Sequence, residues 1–368
     1  MNTHKKILIV LPSDTMGGAE QYLKNIAAYY HNLNYQIFVI LFSAPKTYAF
    51  HSISPNIKIY APYTSKERYG IPFFVYKIIS FFFQHSFQYT FSSHTHSSGL
   101  LGFFKKLKIL RTQYHVARES TSIFTRFTGW KLREFKFFYN IGYSKHINLI
   151  ICQTHFMKNQ LIAALPFAHT LNVQVIPNPI NFNEIIDKGN KIPEYEFNEN
   201  YKYIVTAGRL ITLKGFHHLI HAFSDLNLPN YKLLILGEGS ELQNLQLLIQ
   251  KLNQTQNIHL LGFKKNPMPY FKKANICVVS SIVEGFPNVL LQMMALNPCV
   301  VSTLCAGDID TIPNIITCNP DNKNELQQAI AKATSLTVQQ LQQNKIVFQN
   351  FLQERTLQSF VKTVESYI

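Results

Sequence analysis

Acidic side chains are scarce in this sequence. Its 368 residues hold 20 Asp or Glu against 35 Lys or Arg, a formal net charge of +15 at pH 7. Paired cysteines are lacking too. The five present, Cys152, Cys277, Cys299, Cys305 and Cys318, are odd in number and show no CxxC spacing. That argues against a disulfide framework and a zinc module, and points to a reducing cytosol. No apolar run approaches the 18 or so residues of a membrane span. The nearest, Ile71 to Phe83, is broken by Lys77. Near the start, Ile7 to Pro12 is too short for a secretory core and reads as a first strand. Charged residues make up only 15% and hydrophobic ones 46%, which excludes a disordered chain and fits a packed globular one.

The basic excess is uneven. Residues 1–195 carry 21 Lys/Arg and 8 Asp/Glu, whereas residues 196–368 carry 14 and 12. Such a field attracts polyanions, phospholipid surfaces and lipid phosphates among them. Nucleic acid is not the expected partner, because no helix-turn-helix, zinc or RNA-binding signature accompanies the charge. Between Phe103 and Lys145, ten Lys/Arg alternate with aromatics, and Trp130 to Tyr139 has the pattern of an amphipathic basic helix. Helices of that kind lie in a membrane interface. Any membrane contact is therefore expected to be peripheral.

Short apolar runs alternate with stretches of helical spacing. Lys6–Pro12, Tyr35–Phe42, Gln88–Ser93, Gln113–Arg118, Asn148–Cys152 and Val173–Ile176 read as strands of one parallel sheet. Tyr203–Ala207, Lys232–Leu236, Ile258–Leu260, Ile276–Ser280 and Cys299–Ser302 read as strands of a second. The polar stretch Asp187–Tyr201 is the candidate linker. The expected architecture is α/β, with two Rossmann-like domains facing across a cleft: residues 1–190 and 200–351, with a last helix, about 352–368, packing back on the first domain.

Two motifs carry chemistry. After a strand comes Ala207-Gly208-Arg209-Leu210, then Lys214-Gly215. Gly208 allows a tight turn, and Arg209 and Lys214 can place two cations on one anionic group. A close pair of opposite charges near a surface is worth roughly 4 kcal/mol before desolvation. Two such cations steady a diphosphate and the charge that builds on it as it leaves. The second motif is Glu284-Gly285-Phe286-Pro287-Asn288-Val289, with Pro287 expected at the first helical position. Free N–H groups at that helix start favour phosphate or sugar oxygens, and the Glu284 carboxylate can accept from sugar hydroxyls.

Together with Gly17-Gly18-Ala19-Glu20, Val175-Ile176-Pro177-Asn178-Pro179 and Leu236-Gly237-Glu238-Gly239, these motifs resemble the family 4 glycosyltransferases of the GT-B kind, over nearly the whole chain. The resemblance implies sugar transfer from a nucleotide-diphosphate donor, UDP-linked above others, with retention at the anomeric carbon and with neither cofactor nor obligatory metal. It implies Arg209 and Lys214 on the diphosphate and Glu284 on the donor sugar. Gly17, Gly18, Gly208, Gly285, Phe286, Pro287, Asn288 and Val289 would line the donor. Gln292 stands where the family has a second glutamate on the nucleotide ribose. Exchanging a charged for a neutral hydrogen bond there loses about 1 kcal/mol.

The acceptor side is placed at two strand ends, with His94, Arg118 and Glu119. The basic half suits a lipid-linked glycan or lipopolysaccharide acceptor, and a site of action at the cytoplasmic face of the inner membrane. A catalytically silent nucleotide-sugar binder is the alternative that Gln292 raises. A nicotinamide dehydrogenase is excluded, because Leu242 occupies the third glycine position after Gly237-Glu238-Gly239 and no acid lies about 20 residues on. Asp308-Ile309-Asp310 has the acid-x-acid spelling of metal-dependent sugar transferases, but it lies after the second domain's strands and reads as a loop.

Overall fold

The computed structural model describes residues 5–15 and 17–368. The chain forms two compact units: residues up to Pro179 together with Leu357–Ile368, and Ile180–Thr356.

The first unit is built on seven parallel strands: β1 (Lys6–Leu11), β2 (Gln36–Leu41), β3 (Lys58–Tyr60), β4 (Phe87–Ser93), β5 (Thr112–Arg118), β6 (Leu149–Cys152) and β7 (Val173–Val175). Their order is β3-β2-β1-β4-β5-β6-β7, with helices in the connections. The apolar run of β1 is buried on both faces. Ile7, Ile9 and Leu11 meet one core, and Leu8 and Val10 the opposite one. The helix Leu357–Ser366 belongs to this unit, and its Phe360, Val361 and Val364 join the first of those cores.

The second unit has six parallel strands: β8 (Lys202–Ala207), β9 (Tyr231–Leu236), β10 (Ile258–Leu260), β11 (Ile276–Val279), β12 (Val300–Thr303) and β13 (Ile316–Cys318), ordered β10-β9-β8-β11-β12-β13. In both sheets the order turns back beside the first strand, which is where open α/β sheets bind ligands at their strand C-termini.

Two boundaries differ from the sequence reading. The expected linker does not separate the units. Ile180 and Ile185 are buried in the second unit's core, Tyr195 and Phe197 pack against it, and Asp187 lies inside the helix Phe182–Gly189. The segment is polar in composition, but its few apolar side chains have a core to cover. The returning tail begins at Leu357, not 352, because Leu352, in the last turn of the helix Val338–Gln353, is fully buried in the second unit.

Candidate functional site

In the second unit, Lys214 and Glu284 meet. Lys214 Nζ lies 2.5 Å from Glu284 Oε1, each side chain about one-fifth exposed. The Ser281 hydroxyl donates to the same carboxylate oxygen at 2.9 Å. The pair is held by its backbones. β8 leads into a 3-10 turn, Thr212–Lys214, and Gly215 follows with φ +63. A Cβ on Gly215 would fall 2.1 Å from the Ser280 carbonyl oxygen, so only glycine lets the two loops touch. The Ile282 N–H donates to Leu213 O at 2.8 Å and the Ser280 hydroxyl to Lys214 O at 2.9 Å. The Glu284 N–H donates to Cys305 O at 2.7 Å. The carboxylate thus stands in a fixed loop ahead of the helix Asn288–Leu296.

Arg209 is exposed beside this pair in sequence, between the half-buried Gly208 and the buried Leu210. No hydrogen bond or ion pair engages its guanidinium among the described residues. A second loop supports the first. Leu210 N–H donates to Glu238 O at 2.8 Å, and Gly208 N–H to Leu236 O at 2.9 Å. Pro287 is the residue before the helix, with an extended backbone (φ −76, ψ 102), not the first helical residue as the sequence suggested. Asn288 takes that place, and because proline carries no N–H the first backbone donor of the helix is Asn288 in either arrangement. Gly285, Phe286 and Pro287 are buried, Asn288 and Val289 half-buried, and Gln292 half-buried in the second turn. The Arg355 guanidinium lies 5.7 Å from the Phe286 ring centre, a contact that no sequence pattern signalled.

In the first unit, Gly17 precedes the helix Gly18–Asn32 at the end of the turn after β1. His94 sits between β4 and the helix Thr95–Lys106 with φ +85 and ψ 133. A non-glycine residue held there costs about 1–3 kcal/mol, and such strain clusters at functional sites. Its Nδ1 donates to Ser93 O at 2.6 Å, which leaves Nε2 as an acceptor. Burial lowers its pKa to about 4, so the ring is neutral at pH 7. Arg118, at the end of β5, is buried. Its Nη2 donates to Asn178 Oδ1 at 2.5 Å and its guanidinium covers the Tyr22 ring at 4.6 Å. Nε and Nη1 have no protein partner among the described residues.

Glu119 does not serve as expected. It is buried, accepting from Tyr139 Oη at 2.6 Å and Tyr143 Oη at 2.5 Å, with Thr95 Oγ1 at 3.4 Å. One residue beyond Arg118, its side chain enters an aromatic core instead of open space. Burial raises its pKa, and the two phenols partly oppose that shift. Glu119 is a structural carboxylate.

His115 is a buried strand histidine, with Nε2 3.0 Å from Ser92 Oγ. Burial lowers its pKa to about 3, while the unfolded chain titrates near 6.5. Between those values the unfolded chain binds the extra proton, so stability falls as pH drops from about 6.5 towards 3. Urea midpoints measured from pH 7 to pH 4 are expected to decline, and to decline less steeply for His115→Asn. Equal slopes would remove His115 from this account.

Two doubly wound parallel-sheet units, one with a glycine turn after its first strand and the other with a lysine–glutamate pair at its strand ends, define the GT-B class. The chain belongs to the group 1 glycosyltransferases. Residues 187–346 match the family described as "Glycosyl transferases group 1" and residues 16–184 match "Glycosyltransferase Family 4".

An uncharacterized glycosyltransferase of Methanocaldococcus jannaschii is 35% identical over 177 residues, 46% of this chain and 42% of that protein. The N-acetylgalactosamine-N,N'-diacetylbacillosaminyl-diphospho-undecaprenol 4-alpha-N-acetylgalactosaminyltransferase of Campylobacter jejuni is 40% identical over 102 residues, 28% of each chain. The lipopolysaccharide 1,6-galactosyltransferase of Escherichia coli is 26% identical over 202 residues, 52% of each. The matched stretches thus span about half or less of these curated relatives. The fold is similar to that of Anabaena HepE in complex with UDP and glucose, with a TM-score of 0.78 at 19% identity, covering 99% of both chains.

Proposed function

We propose that this protein transfers a sugar, with retention, from a UDP-sugar to a hydroxyl of a lipid-linked glycan or lipopolysaccharide. The observation that carries the reading is the Lys214–Glu284 pair, pinned by Gly215 and Ser280. An incoming diphosphate competes with Glu284 for the Lys214 ammonium. The released carboxylate then accepts from sugar hydroxyls. Arg209, without a protein partner among the described residues, supplies the second cation to the leaving group. In the first unit, the neutral His94 offers Nε2 to acceptor hydroxyls, and Arg118 sets the strand end beside it. Support comes also from the UDP bound by a protein of the same fold and from the relatives named for undecaprenol-linked and lipopolysaccharide substrates. No cofactor enters this scheme. A thermal-shift and hydrolysis panel of UDP-, GDP- and ADP-sugars tests it. A UDP-sugar at 100 times its dissociation constant stabilises by about 2.7 kcal/mol. Binding without turnover would favour the silent-binder reading that Gln292 raises, and no shift with any sugar nucleotide would end both.

The same reading places the protein on the cytoplasmic face of an anionic membrane. No helix among the described residues is long and apolar enough to cross one. The helix Gly129–Gly142 instead exposes Trp130 by 78% and Phe137 by 57%, beside exposed Lys131, Arg133 and Lys136. Cosedimentation with vesicles containing anionic lipid is expected to weaken at least about tenfold when Trp130 and Phe137 both become alanine. Unchanged binding would remove this helix from the membrane reading.

A further inference from the structure

We propose that the second unit carries a transition-metal site, of the zinc(II) class, formed by His217, His218 and Asp321. The two histidines occupy the first turn of the helix Phe216–Leu226. Asp321 comes from a segment 103 residues away, in the turn between β13 and the helix Lys323–Thr334. One ligand atom from each of the three lies within 4.8 Å of the others. His218 Nε2 is 2.7 Å from Asp321 Oδ1, and the two imidazole rings lie 3.9 Å apart, centre to centre.

The turn that delivers Asp321 is fixed on both sides. Asp321 itself has a left-handed backbone (φ +58). Asn322 caps the following helix through Glu325 N–H, and Lys323 pairs with Asp225 on the histidine-bearing helix at 2.8 Å. The carboxylate is therefore held over the imidazoles by contacts that do not involve them.

A simple ion pair explains this arrangement less well than a metal does. An ion pair with Asp321 uses only His218 and leaves no role for the His217 ring, tilted by 44° at 3.9 Å from it. As neutral ligands, both rings can face one ion once the 2.7 Å His218–Asp321 contact opens, since ligand atoms on a tetrahedral zinc stand about 3.3 Å apart. Two imidazoles and one carboxylate form the nitrogen-rich set that zinc and its neighbours prefer, whereas magnesium and calcium take oxygen. The fourth position falls to water. The positive end of the helix dipole opposes a cation here, and the Asp321 charge offsets it. The ion takes no part in sugar transfer. It would staple the chain just past Lys214 and Gly215 to the end of β13, fixing the loop that delivers the lysine.

The test uses tag-free, chelator-treated full chain in equilibrium dialysis against zinc chloride, with melting followed in parallel. Wild type is expected to retain one zinc at micromolar or lower free metal and to melt at a higher temperature. Magnesium should produce no shift. His217→Ala, His218→Ala and Asp321→Asn should each lower zinc affinity at least tenfold while melting like wild type without metal. The proposal is overturned if wild type retains no stoichiometric zinc, or if the three variants bind it as wild type does, which would assign the ion to other side chains.

Discussion

Lys214→Ala is expected to lower kcat/KM for donor turnover about 10²- to 10³-fold. That is the effect of removing one preorganised contact to transition-state charge, about 2.7–4 kcal/mol. Fold should survive, because Glu284 keeps its Ser281 bond and its backbone anchor to Cys305. Lys214→Arg should restore little. A planar guanidinium does not fit where a compact ammonium meets one carboxylate oxygen at 2.5 Å. Glu284→Gln separates the two roles. It retains most diphosphate affinity, since the ammonium becomes more available, but loses kcat through poorer grip on the sugar. Steady-state kinetics with the donor selected by the nucleotide panel decides the matter. A Lys214→Ala enzyme within fivefold of wild type would move the diphosphate elsewhere.

The second large effect is expected at Gly237. Its φ is +149, and a Cβ there would stand 1.8 Å from the Gly208 carbonyl oxygen. Alanine must therefore push apart the loops carrying Gly208-Arg209-Leu210 and Gly237-Glu238-Gly239, breaking the Leu210–Glu238 bond between them. Positive-φ strain and overpacking together cost about 3 kcal/mol. In a unit of this size that lowers the melting temperature roughly 6–12 °C. Because Arg209 rides on the displaced loop, UDP affinity should fall as well. A melting temperature within 2 °C of wild type would show that the loops yield more easily than their spacing implies.

The sequence revealed what burial dictates. Runs such as Ile7–Leu11 and Leu233–Leu236 are apolar at every position because both faces of a parallel sheet are covered, and they appear as strands. The three-residue strands β3 and β13 escaped notice. Lys58, the first residue of β3, and Thr317, the middle residue of β13, are polar and exposed, leaving too little pattern to read. Lys214 and Glu284 were legible through glycines and prolines at fixed offsets, but their direct pairing was not, since 70 residues separate them. Glu119 misled because a carboxylate at a strand end resembles a site residue. Only the fold shows Tyr139 and Tyr143 closing over it. His217 and His218 share one helix but no motif singled them out, and Asp321, 103 residues beyond His218, is hidden by sequence distance.

The helix Leu357–Ser366 has a bearing on biosynthesis. The apolar surface that Phe360, Val361 and Val364 cover is made early, while the covering residues leave the ribosome only after the 177 residues of Ile180–Thr356. At about 5–20 residues per second that delay is roughly 10–35 s. During it the nascent amino-terminal half displays a greasy face, a natural target for holdase chaperones, and the carboxyl-terminal unit is free to fold first.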